Sequence, residues 1–189
     1  MLATVFERDE AVRTSKRYRE MSLRDPLTGL YNRRYVEERL PGLLQRANDT
    51  ASTLAVALLD LDHFKQVNDS CSHEAGDGVL QQFAQLVQRA VPPVGFAARF
   101  GGEEFLLVLP SHDLVQARQA CERLLAAVRA HDWRPLVGPM PITASVGVST
   151  TFAGADSLRD LLATADRLLY EAKDGGRDQV RGAPGPSAS

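Results

Sequence analysis

Two clusters of carboxylates in this 189-residue chain stand where folded proteins tend to place chemistry. In one, Arg99-Phe-Gly-Gly-Glu103-Glu104-Phe105, two adjacent glutamates follow a glycine pair between two apolar, strand-sized runs. In the other, the unbroken apolar run 54–59 ends in Asp60-Leu-Asp62. Charged groups at the mouth of a buried hairpin are costly unless something cationic sits with them, and a metal ion is the obvious candidate. Side chains two apart in a strand share a face, so Asp60 and Asp62 point together, whereas Glu103 and Glu104 alternate. That alternation favours two roles, one glutamate on an ion and the other toward a substrate. Hard divalent cations such as magnesium take carboxylate and carbonyl oxygens and keep phosphate oxygens and water in their shell. Asp60, the Leu61 carbonyl and Glu103 would make a partial shell of that kind. Acids placed only for solubility are the competing reading of the glutamate pair, and the second cluster decides against it.

These residues need elements to hold them. The run 54–59 reads as a strand buried on both faces, and its C-terminal end is where open α/β sheets bind ligands. The glycine pair between runs 94–100 and 105–109 reads as a tight type I′ hairpin turn. Asn32 can cap a helix carrying Tyr35, Val36, Leu40, Leu43 and Leu44 on one face, with Pro41 expected to kink or restart it. Residues 47–53 read as a surface loop. Further helices are expected over about 78–90, 114–130 and 158–173, a proline-rich loop over 133–141, a strand over 142–150 and a short edge strand over 178–181. Residues 1–22 read as the stub of a connecting helix, 23–181 as one domain, and the Gly/Pro/Ser/Ala tail 182–189 as disordered. The order βαββαβ suits an α+β fold, a ferredoxin-like, mainly antiparallel sheet flanked by helices.

Composition narrows the partners. A formal net charge of −2 gives no electrostatic case for nucleic acid. An anionic ligand must therefore be held by local cations. Cys71 and Cys121 have no metal-like spacing and read as reduced thiols of a cytoplasmic domain. No apolar run approaches the ~20 residues of a transmembrane helix, so no membrane contact is expected. The absence of a GxxxxGK[ST] segment argues against a P-loop site.

Together with Asp25-Pro-Leu-Thr-Gly-Leu-Tyr-Asn-Arg-Arg34 and Tyr170-Glu-Ala-Lys173-Asp-Gly-Gly-Arg177, the two acidic clusters resemble the GGDEF family of diguanylate cyclases, with the signature in its Gly-Gly-Glu-Glu-Phe form. The match runs from about residue 25 to about residue 180. The resemblance implies a nucleotidyl-cyclase, palm-type fold and the condensation of two GTP into cyclic di-GMP and two pyrophosphates between two copies of the domain. It implies Mg2+ (or Mn2+) on Asp60, the Leu61 carbonyl and Glu103, with Glu104 as proton acceptor near the attacking 3′-hydroxyl and Lys65 stabilising transition-state charge. It further implies that main-chain amides of 62–65, His63 and Phe64 among them, cradle phosphates. Lys173 and Arg177 would grip the β- and γ-phosphates, although spacing alone would make them cations at a helix C-terminus. Asn68 and Asp77 would read guanine, with His73 beside the same nucleotide. A carboxylate accepts from both N1–H and N2–H of guanine, a pair adenine lacks, so Asp77 argues for GTP over ATP.

Two departures from the family pattern bear on function. Members with product feedback carry Arg-x-x-Asp a few residues before the signature, where this chain has Pro92-Pro-Val-Gly95, so the inhibitory site is expected to be lost. Ser72 replaces a usual glycine, which questions the local turn because serine tolerates φ > 0 poorly. Asp178 replaces a common asparagine, a change expected to have no consequence. Catalysis by two facing domains with so short a leading helix implies a weak homodimer. The alternative reading is a non-catalytic GTP-binding or protein-interaction module; the presence of both signature acids argues against it.

Overall fold

The computed structural model describes residues 20–151 and 157–184. Most of the expected leading helix, 1–19, lies outside the described residues; residues 20–22 are helical. The elements that follow are β1 (Tyr31–Asn32), α1 (Arg33–Asp49), β2 (Leu54–Leu61), α2 (Phe64–Ser70), α3 (His73–Arg89), β3 (Phe96–Arg99), β4 (Glu104–Pro110), α4 (Leu114–Ala130), α5 (Arg134–Val137), β5 (Ala144–Thr150), α6 (Leu158–Asp174) and β6 (Val180–Pro184).

One six-stranded sheet runs in the order β1-β3-β4-β2-β5-β6. The inner four strands pair antiparallel, and the short outer strands β1 and β6 add on in parallel. The inner order β3-β4-β2-β5 is the expected ferredoxin-like arrangement, with β2 at its centre. β2 is buried along its whole length, as an unbroken apolar strand should be. Its period of two sorts the core into two layers. Ala55, Ala57 and Leu59 pack with α3 and α4, through Phe83, Val87, Leu124 and Leu125. Leu54, Val56 and Leu58 pack under α1 and α6, with Leu40, Leu161 and Leu169.

Local chemistry fixes the helix starts. Asn32 caps α1 by accepting from the Tyr35 N–H at 3.1 Å, and Asp113 with Gln116 forms a reciprocal capping box on α4. α1 runs through Pro41 without restarting. α3 begins at His73, five residues before the expected start. Ser72 is its N-cap, accepting from the Ala75 N–H at 3.1 Å, with φ −175°. The doubt over Ser72 is thereby removed, because the backbone there is extended. The proline-rich loop contains the single turn α5, and β6 reaches Pro184, three residues into the expected tail. Residues 185–189 lie outside the described residues. Among the described residues no helix is long and apolar enough to cross a membrane.

Candidate active site

The acids converge at one end of the two central strands. Asp60, next to last in β2, lies directly opposite Glu104, the first residue of β4. Beside them the Leu61 N–H donates to the Glu103 carbonyl at 3.4 Å. Even-numbered side chains of β2 and β4 face α6, and from its last turn Lys173 brings Nζ to 2.9 Å from Asp60 Oδ1. Asp60 is only 4% exposed. Burial pushes its carboxyl above the usual carboxylate range; Lys173 opposes this, and the charges of Glu104 and Asp62 add to it. Glu103 is raised too, first by burial and then by Asp60. Like charges opposite one another across strands destabilise a sheet. One ammonium is therefore set against a pocket of negative charge that it does not neutralise.

That excess is what a divalent cation would balance, and the donors are the hard oxygens such an ion takes. Among the described residues no three His, Cys, Asp or Glu side chains form a ready-made cage. Two carboxylates and a main-chain carbonyl fit an ion that completes its shell with phosphate oxygens and water.

The hairpin that carries the glutamates differs from the tight turn expected. Neither Gly101 nor Gly102 has φ > 0, so the turn is not type I′. The loop spans 100–103, with the Phe100 and Gly101 N–H groups both donating to the Glu104 carbonyl at 2.8 and 3.1 Å. The Glu104 carboxylate packs against Gly101, so a Cβ there would make it shift. Arg99 organises the loop. Its Nε and Nη2 donate to the Gly102 carbonyl at 3.0 and 2.7 Å, and Nη1 reaches Asp25 Oδ1 at 3.3 Å. Burial raises Asp25, but its bonds from the Thr28 hydroxyl and amide, and then Arg99, more than offset this and leave it lowered. The Asp25-Pro-Leu-Thr28 turn is thereby tied to the signature loop.

The remaining expected residues lie at the start of and within α2, on α3 and in the turn after α6. His63 precedes α2 with φ 55°, in the left-handed region; it and Lys65 are exposed, while the Phe64 ring is buried in the core. Asn68 presses its carboxamide against Gly76, where any Cβ would collide with it. Asp77 and His73 are exposed on α3. Arg177 is exposed in the turn after α6. Asp60, Glu103, Glu104 and Lys173 are brought together, and Asn68 is set beside the first turns of α3.

The sequence leaves Asp62 as either a structural residue or a support of the site, without naming its partners; the structure makes it the anchor beneath the site. Asp62, buried at 5% exposure, accepts from Thr143 Oγ1 and Ser145 Oγ at 2.7 Å each and from the Asp178 N–H at 3.1 Å. Asp178 in turn receives Arg129 Nε on both carboxylate oxygens and Arg129 Nη2 on its carbonyl, all at 2.9 Å. The only signal in the sequence was that Asp62 shares a strand face with Asp60.

Comparison with known proteins places this geometry. Residues 22–179 match the family model described as diguanylate cyclase, GGDEF domain. The chain is 42% identical over 162 residues to diguanylate cyclase DgcP of Pseudomonas aeruginosa, covering 86% of this chain and 24% of that protein. It is 36% identical over 165 residues to response regulator PleD of Caulobacter vibrioides, covering 86% and 36%. The chain thus spans about a quarter to a third of the length of these relatives. The solved coiled coil and GGDEF domain of DgcB from Caulobacter crescentus, in complex with c-di-GMP, aligns with a TM-score of 0.88 and 30% identity over 96% of this chain and 97% of that one. The active GGEEF domain of a diguanylate cyclase from Vibrio cholerae aligns at 0.76 and 30%, over 81% and 97%.

Proposed function

The chain belongs to the GGDEF family of diguanylate cyclases, and from that membership we propose that it condenses two GTP into cyclic di-GMP and two pyrophosphates, with one nucleotide on each of two facing copies. The observation that carries this reading is the convergence of Asp60, Glu103 and Glu104 at the ends of β2 and β4, with Lys173 2.9 Å from Asp60.

Asp60, the Leu61 carbonyl and Glu103 would hold Mg2+ or Mn2+, which when bound supplies charge neutralisation at the α-phosphate and acidifies the attacking hydroxyl. Glu104 accepts the 3′-hydroxyl proton. Main-chain N–H groups of 63–65 precede the first intrahelical bonds of α2 and are free to face phosphate oxygens, whereas the Asp62 N–H, expected among them, donates to the Thr143 carbonyl at 2.9 Å. Lys65 steadies the charge that builds on the reacting phosphoryl group. Lys173 and Arg177 hold the β- and γ-phosphates, and Asn68 with Asp77 reads the guanine edge beside His73.

The reaction itself calls for two copies. A 3′-hydroxyl and an α-phosphorus must come from different nucleotides, so each site is incomplete without its two-fold mate. Pro92–Gly95 closes a turn through the Gly95 N–H to the Pro92 carbonyl at 2.9 Å. It carries none of the charged side chains of an Arg-x-x-Asp site, which supports a cyclase without that form of product inhibition. Nothing in the charge of the chain calls for a nucleic-acid partner, and the reading is of a cytoplasmic signalling domain.

The test is incubation with GTP and Mg2+ at rising protein concentration, with the product identified by mass. Cyclic di-GMP is expected, with specific activity rising about linearly with protein concentration while the dimer is weak. GTP binding without product at every concentration would replace this reading with that of a non-catalytic nucleotide-binding module.

A further inference from the structure

We infer that Asp62 and Arg129 are positioning residues that hold the 175–178 turn, and with it Arg177, in place for the nucleotide phosphates. This rests on the phosphate role proposed above for Arg177.

The turn is strained in a way that needs external support. Gly176, Arg177 and Asp178 follow one another at φ 112°, 64° and 48°. Glycine adopts such angles freely, but for other residues the left-handed region is costly, and it persists only where the surroundings over-determine it. Here they do. The Arg177 N–H closes back on the Ala172 carbonyl at 3.0 Å. The Asp178 N–H is taken by Asp62, its carboxylate and carbonyl by Arg129, and the Gln179 carbonyl accepts from the Val146 N–H at 3.0 Å. Arg177 is therefore an exposed side chain on a backbone gripped from both sides.

The two grips are chemically different. Asp62 is a buried carboxylate with three donors, from Thr143, Ser145 and Asp178, which justify its burial. It stands two residues beyond Asp60 on the same strand face, so the turn is registered to the strand that carries the acids. Arg129 comes from α4, across the sheet edge, and its planar fork meets both the carboxylate and the carbonyl of Asp178. An asparagine at 178 would keep the Asp62 bond and tolerate the left-handed backbone, but would lose the charge-assisted half of the Arg129 clamp. The departure from the family pattern at 178 is thus matched by a partner at 129.

The experiment measures the affinity of the full chain for a GTP analogue with a non-cleavable α–β bridge and for GMP, both with Mg2+. The variants are Arg129→Ala, Arg177→Ala and the double variant. Arg177→Ala is expected to weaken the triphosphate about tenfold and leave GMP unchanged. Arg129→Ala is expected to weaken the triphosphate about three- to fivefold, leave GMP unchanged, and add nothing in the Arg177→Ala background. GMP affinity serves as the internal check on folding. Full additivity of the two substitutions, equal loss for GMP and triphosphate, or no effect of Arg129→Ala would overturn the positioning role alone. An Arg177→Ala variant that binds the triphosphate like the parent would remove the phosphate role of Arg177, and this inference with it.

Discussion

Lys173 Nζ sits 2.9 Å from Asp60 Oδ1, joining the last turn of α6 to the end of the central strand. The ammonium is a third exposed and the carboxylate almost fully buried. The pair is therefore lopsided: Lys173 can rehydrate easily, Asp60 cannot. Because burial raises Asp60 above its unfolded value of 3.8, the folded chain binds more protons than the unfolded chain in the window above that value. Stability contributed there falls as pH rises through it. Asp60→Asn removes the dependence. The variant is expected to melt at higher temperature than the parent near neutral pH, with the difference closing as pH falls toward 3.8, as thermal melts across pH would show. A variant less stable than the parent near neutral pH would mean that Lys173 fully compensates the buried charge.

The signature loop should depend on Arg99 for its shape. Arg99→Ala releases the Gly102 carbonyl and the Asp25 carboxylate together. Turnover is expected to fall about tenfold or more through misplaced Glu103 and Glu104, with the melting temperature lowered only modestly. Arg99→Lys should not restore it, since an ammonium cannot reproduce the fork. Steady-state rates with circular dichroism melts separate the two effects.

Gly147 in β5 is a packing requirement. A Cβ there would stand inside the contact distance of the Ala165 carbonyl and the Leu169 amide, both backbone atoms of α6. Gly147→Ala is expected to cost about 3 kcal/mol or to displace α6, measured by urea unfolding. Because α6 delivers Lys173, activity should fall with it.

Ser149, two residues on and facing the same helix layer, carries the one buried side-chain polar atom among the described residues without a hydrogen-bond partner. Ser149→Ala removes an uncompensated hydroxyl and should leave stability unchanged or raise it by about 1 kcal/mol, with turnover unaffected. Denaturant midpoints of the two proteins decide this.

How far the sequence could be read depended on how local the determining physics was. The continuous apolar run of β2, the shared face of Asp60 and Asp62, the Asn32 cap and the span of α4 all follow from neighbours in sequence, and each is found as expected. The hairpin turn differs from expectation because Gly-Gly suggests left-handed angles, whereas neither Gly101 nor Gly102 adopts them. Ser72 was misjudged for the converse reason: an N-cap needs an extended backbone and a side-chain oxygen, which serine supplies and glycine does not. The Asp62 network was out of reach. Its donors lie 81, 83 and 116 residues away, and only the folded sheet brings Thr143, Ser145 and Asp178 to one carboxylate.

Asp60 and Glu103 are proposed to hold a divalent ion together beneath the phosphates of a guanine nucleotide. The most direct measurement is Mn2+ binding, followed by electron paramagnetic resonance, in the presence of the non-cleavable GTP analogue. The parent chain is expected to bind Mn2+ stoichiometrically, with Asp60→Asn and Glu103→Gln each weakening it about tenfold or more while Glu104→Gln has a smaller effect. Mn2+ affinity unchanged in both Asp60→Asn and Glu103→Gln would mean that neither carboxylate ligates the ion.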